Sequence, residues 1–205
     1  EFCALCKPSV TPCENRTPYA NPTKYLLYND PMKGMFDRHT TAQFPAFYKE
    51  CAEELGALAL RGGRFAYLFD VQAKLCFVLA LKSTLGVELK AAYDANDKER
   101  LAVIASETIP QICSRIEEFH KAFRKGWMSE SRMGGFDVQD LRLGGLVQRL
   151  KSTVTAIEEY LNGQSERIEE LEEERLFFDC RGNDSDKCLT IGVNNYRTTA
   201  TPNIL

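Results

Sequence analysis

Leu143, Leu146, Val147, Leu150, Val154, Ile157 and Leu161 follow one another at three- and four-residue steps, which places them on one face of a helix. Lys151, Glu158 and Glu159 fall between them. Gly163 interrupts the stripe, and Ile168 and Leu171 resume it among Glu166, Arg167, Glu169, Glu170, Glu172, Glu173 and Glu174. A strong helical pattern with one apolar side over 136–176 needs a cover, and the rest of the chain reads as that cover.

Upstream, Phe44, Phe47, Cys51, Leu55 and Leu58 share a helical face that Gly62-Gly63 closes. The run from Phe65 to Leu85 is apolar nearly all round, as expected of a central buried helix, with Gly86 a candidate bend. Asp97 is placed as an N-cap with Arg100 at N3. Leu101, Ala105, Thr108, Ile112, Ile116, Phe119, Phe123 and Trp127 form the next stripe, and Pro110 inside it predicts a kink. Residues 128–135 read as a Ser/Gly-rich connection, and Ser165 as the cap of a last helical segment. At the other end, Pro8, Pro12, Pro18 and Pro22 make residues 1–23 loop or linker. Tyr25-Leu26-Leu27-Tyr28, closed by Asn29-Asp30-Pro31, reads as a short buried strand. A lone strand needs partners for its backbone groups, so it is expected to belong to a sheet that is mostly absent.

A chain of 205 residues suits one domain, and a net charge of -3 argues against nucleic acid or an anionic membrane as partner. No run is apolar enough to span a bilayer, and Glu1-Phe2-Cys3 does not begin a signal peptide. The absence of an initiator Met suggests a piece of something longer. Cys51, Cys76 and Cys113 fall on apolar helical faces, which favours a reducing, cytoplasmic compartment. Cys3 and Cys6 form a C-x-x-C pair near Cys13, but no second pair follows at zinc spacing; Cys180 and Cys188 are a loose pair near the far end. No metal and no cofactor are expected. Asn15 and Asn183 begin glycosylation sequons that matter only in a secretory route.

Other residues invite a blander assignment. Trp127 completes its stripe and is expected to pack rather than stack a sugar. Arg142, near Asp137 and Asp140, is expected to fix the start of the long helix. Gly144-Gly145 costs about 1 kcal/mol per Gly in a helix, which predicts a close approach there by a packed helix or a partner subunit. His39 and His120 are lone, and the Glu run reads as a solvated face.

Two stretches are more specific than helix patterning requires. One is Asn21-Pro22-Thr23-Lys24-Tyr25-Leu26-Leu27-Tyr28-Asn29-Asp30-Pro31-Met32-Lys33-Gly34-Met35-Phe36-Asp37. The other is Gly135-Phe136-Asp137-Val138-Gln139-Asp140-Leu141-Arg142-Leu143-Gly144-Gly145-Leu146, preceded by Trp127. Together they resemble the C-terminal portion of bacterial exo-β-N-acetylglucosaminidases of glycoside hydrolase family 20, and the tail from Thr198 to Leu205 is similar to the end of the same proteins.

The resemblance implies a mainly α chain: a helical bundle C-terminal domain over 40–176, preceded over 1–39 by the remnant last strand of a (β/α)8 barrel and a linker, and followed by an extended tail over 177–205. The strand over 24–28 would present Tyr28, Asn29 and Asp30 at the barrel rim. In that family the last strand carries an aromatic, more usually Trp, against the sugar face and an acid two residues on, which makes Tyr28 and Asp30 the candidate substrate-binding residues. Asn29-Asp30-Pro31 also reads as ordinary turn chemistry. The family's chemistry is substrate-assisted and uses an adjacent Asp-Glu pair. This sequence has no Asp-Glu dipeptide, so the fragment alone is expected to be inactive. The partners implied are N-acetylglucosamine-containing glycans, the missing catalytic barrel and a second copy in a homodimer. Two further classes stay open on the residues: a stand-alone interaction module, dimeric through the stripe from Leu146 to Leu171, and a small-molecule-binding bundle using loops 31–42 and 128–135. The severed-enzyme reading would collapse if Tyr25–Tyr28 were hydrogen-bonded within a self-contained sheet or coiled into the bundle as helix.

Overall fold

The computed structural model of the chain describes residues 25–37 and 40–175. The Pro-rich start, Cys3, Cys6, Cys13, His39, the tail over 177–205, Cys180, Cys188 and both sequons lie outside the described residues. Among the described residues the chain is mainly helical and contains no strand. In order, α1 is Tyr25–Tyr28, α2 Phe44–Ala59, α3 Ala66–Lys82, α4 Leu85–Asp94, α5 Lys98–Val103, α6 Ile109–Glu130, α7 Phe136–Leu161 and α8 Glu169–Glu172. A short 3-10 turn, Gly63–Phe65, precedes α3, and a π-helical segment, Ile104–Thr108, joins α5 to α6.

The α2 helix packs along α3, α3 against α6 and α6 against α7, while α1 docks on α3. Six residues separate α2 from α3, which makes them neighbouring, closely packed helices. Leu143, Leu146, Leu150 and Ile157 are buried, so the stripe on α7 is covered as its spacing requires. The cover comes from Leu101, Ile104, Ile109, Ile112 and Ile116, all essentially inaccessible and part of the same core.

The strand expected at Tyr25–Tyr28 is corrected: it is one helical turn, with Leu26, Leu27 and Tyr28 all buried. A short apolar run buried on every side looks the same as strand or helix, and periodicity cannot separate the two. Just after this turn, Lys82 donates its Nζ to the Asn29 carbonyl (2.6 Å) and Gly34 N–H reaches the Asp30 carbonyl (2.8 Å). Met32, Met35 and Phe36 carry the segment on into the same core as the bundle.

Pro110 falls in the first turn of α6, which runs on without a break from α5 through the π segment, whose wider turn accommodates the missing amide. Two other local expectations resolve differently in detail. Among the described residues no packed helix approaches Gly144 or Gly145, where a Cβ would meet nothing within 4 Å. Ser165 does not cap the last helix; the residue before α8 is Ile168. By contrast, Asp97 accepts a hydrogen bond from the Arg100 amide (2.9 Å), an N-cap as its position predicts. Trp127 packs against Phe123 and Phe136 and donates its indole N–H to the Arg132 carbonyl (2.9 Å).

Candidate functional site

The densest polar chemistry in the interior gathers around the loop that follows α1. Asp30 ends the turn and is nearly inaccessible. Its Oδ1 accepts the amides of Met32 (2.9 Å) and Lys33 (3.1 Å), which folds the chain back as Asn-Asp-Pro sequences tend to do. The Arg149 guanidinium on α7 forks onto the same carboxylate, Nε to Oδ2 at 2.6 Å and Nη2 to Oδ1 at 3.2 Å. Oδ1 thus has three donors and Oδ2 one.

Asn29 is bound at both ends of its amide. Its Oδ1 accepts the Phe36 N–H (3.3 Å) and its Nδ2 donates to Asp37 Oδ1 (2.9 Å). The other Asp37 oxygen pairs with Arg175, whose guanidinium also reaches the Gly86 carbonyl (3.3 Å). Lys82 lies beneath the loop with its charge toward Asp30 and Asp37. Glu170 accepts from the same Nη2 of Arg149 at 2.6 Å, and Glu173 pairs with Lys33.

Burial and charge oppose each other here. Burial depresses the Lys82 amine to a pKa of about 8, although Asp30 and Asp37 pull it back up. Burial also raises the Asp37 carboxyl above its ordinary value, with Arg175, Asn29 and Lys82 working against the rise. For Arg149, burial disfavours the cation, but the hydrogen bonds and charge of Asp30, then Glu170, raise its pKa further above its ordinary value. The Tyr28 hydroxyl is pushed up by burial, with the positive charge of Arg142 drawing it partly back.

The structure therefore places Tyr28 at the end of α1 and Asp30 two residues on, both buried within this chain. Arg142 acts on Tyr28, while Asp140 is taken by His120 Nε2 at 2.6 Å. Lys82 and Arg149 escaped the sequence reading. The run from Phe65 to Leu85 also carries Asp70 and Lys74, so nothing in the sequence separates the buried Lys82 from a solvent-facing lysine. Arg149 sits beside Leu150 on the long helix and looks like any solvent-facing arginine. Among the described residues no group of His, Cys, Asp and Glu is arranged to hold a metal ion, and no helix is long and apolar enough to cross a membrane.

Bundle and loop together make a helical domain packed round the buried segment 25–37. A family model described as Glycoside Hydrolase 20C C-terminal domain matches residues 1–190, and the chain belongs to that family. Comparison with curated proteins gave no match. Family membership rests on this match and not on a barrel strand, which the helical Tyr25–Tyr28 removes from the argument.

Proposed function

We propose that the chain is the helical C-terminal domain of a β-N-acetylhexosaminidase that removes terminal N-acetylhexosamine by substrate-assisted hydrolysis. The observation that carries this is the family match over residues 1–190. In this proposal residues 1–39 adjoin the catalytic barrel, 40–176 form the supporting domain and 177–205 its tail. The barrel supplies the Asp-Glu pair, and this chain alone is inactive. The enzyme works in the cytoplasm on N-acetylglucosamine-containing glycans, and a second copy of the chain completes a homodimer. The exposed side of α7, with Leu141 at 76% and Val138 at 40% exposure beside the bare Gly144-Gly145 backbone, supports a supporting-and-docking role.

Tyr28 and Asp30 are proposed as the residues nearest the sugar, Tyr28 against the ring face and Asp30 accepting from hydroxyls. A second reading of Asp30 is favoured by the Arg149 fork: with Oδ1 saturated, Asp30 holds the loop and Tyr28 alone meets the sugar. Asp30→Asn in the whole enzyme separates the two. A rise in KM at unchanged stability supports contact, whereas lost stability at unchanged KM supports anchoring. The parent assignment is tested with a chromogenic N-acetylglucosaminide. The 205-residue chain should give no turnover, and the coding sequence directly upstream should encode a barrel. Turnover by the chain, or an unrelated upstream reading frame, overturns the proposal.

A further inference from the structure

We infer that residues 168–175 form a strap that sets the conformation of the 29–37 loop, with Arg149 joining strap and bundle at Asp30. The strap's only regular element, α8, has four residues, too few to hold a helix by itself. It is fastened to the bundle by buried Ile168 and Leu171 and by Tyr93, which accepts the Ile168 amide (3.1 Å) and donates to Glu172 (2.9 Å). From this base three charged side chains reach forward, two of them to loop residues and one to Arg149 on α7. Glu173 meets Lys33, Arg175 meets Asp37, and Glu170 meets Arg149, which passes the contact on to Asp30.

The loop is also held by Met32, Met35 and Phe36, buried in the core, and by Lys82 at the Asn29 carbonyl; the strap adds the charged contacts at Lys33, Asp37 and, through Arg149, Asp30. The loop's own backbone bonds are turn bonds, Gly34 N–H to the Asp30 carbonyl and Asp37 N–H to the Gly34 carbonyl (3.0 Å). Gly34 has φ +59°, and the space a Cβ would fill is taken by Arg175 and Asp37, whose nearest atoms stand 2.5 Å away. Loop and strap therefore interlock, so neither can change shape without the other. The links differ in strength. Arg175–Asp37 is shielded, with side chains 12% and 6% exposed, whereas Glu173 at 56% and Glu170 at 36% sit where solvent or a partner can compete. The strap is thus the low-stability side of the loop, and whatever engages its outer carboxylates acts on the loop.

Amide hydrogen exchange on the 205-residue chain tests this. Glu170→Gln with Glu173→Gln, both at partly exposed positions, should speed exchange at Met32, Lys33 and Gly34 by about tenfold while Val78, Leu79, Ile112 and Ile116 stay protected. Lys33→Glu alone should do the same through repulsion, and adding Glu173→Lys should restore protection by re-forming the pair in reverse. Unchanged loop exchange, an equal loss of protection in the helical core, or no rescue by the reversed pair would each overturn the strap. Its consequence for sugar binding rests on the proposed role of Tyr28 and Asp30. Exchange is read without sugar, so failure of the strap and failure of that role give different results.

Discussion

Arg149 on α7 grips Asp30, 119 positions earlier in the chain, with both arms of its guanidinium, at 2.6 and 3.2 Å. The carboxylate is 5% exposed and the guanidinium 25%, so the pair is sheltered on one side and open to Glu170 on the other. A fork of this kind matches the carboxylate geometry in a way a lysine cannot.

Breaking the pair from the Arg149 side strands a buried carboxylate. Arg149→Met should therefore destabilise the chain by about 3 kcal/mol, measured by urea unfolding. Asp30→Asn should cost less, because the Met32 and Lys33 amides keep an acceptor in the side-chain carbonyl. In the double variant the two effects should fall short of their sum by about 1 kcal/mol or more. Strict additivity would show that the contact carries no energy.

Glycine positions that look alike in sequence should respond with opposite sign. Gly86 lies inside α4, where Ala is ordinarily better by about 1 kcal/mol. Yet a Cβ there would stand 2.8 and 2.9 Å from the Asp37 oxygens, which Asn29 and Arg175 hold in place. Gly86→Ala should lower stability by about 1–3 kcal/mol. Gly145 lies inside α7 with nothing within 4 Å, so Gly145→Ala should raise stability by about 1 kcal/mol. Thermal unfolding of the two variants side by side checks the contrast; a shared sign would contradict the packing described for Asp37.

The long-range part of this network was not legible in the sequence, whereas the local part was. The α7 stripe could be read because each step is fixed by helical geometry over one or two turns. Asp97 could be read for the same reason: a cap and its amide lie three residues apart. Asp97→Ala should cost about 1 kcal/mol of stability in the same unfolding assay. No such rule links Lys82 to the Asn29 carbonyl across 53 positions or Arg175 to Asp37 across 138. Tyr25–Tyr28 failed from the opposite cause: its pattern is local but too short to have a period, and burial of Leu26, Leu27 and Tyr28 alike erased the alternation that marks a half-buried strand. Gly144-Gly145 lies inside α7 as its pattern predicts, but among the described residues nothing packs close to it.

Lys82 gives the chain a pH signature in the alkaline range. It is fully buried, it donates to the Asn29 carbonyl at 2.6 Å, and its pKa falls from 10.5 in the open chain to about 8 in the fold. Below pH 8 both states carry the proton, and the fold bears the full cost of burying the charge. Between the two values the unfolded chain binds more proton than the folded one, so stability rises with pH over that window. Above 10.5 both forms are neutral, and the gain, about 3 kcal/mol in all, is complete. Other groups titrate in the same range, so the contribution is read as a difference. The unfolding free energies of wild type and Lys82→Met should diverge in favour of the wild type as pH rises from 8 to 10.5. Parallel curves would mean that the buried amine keeps an ordinary pKa, and that Asp30 and Asp37 offset its burial in full.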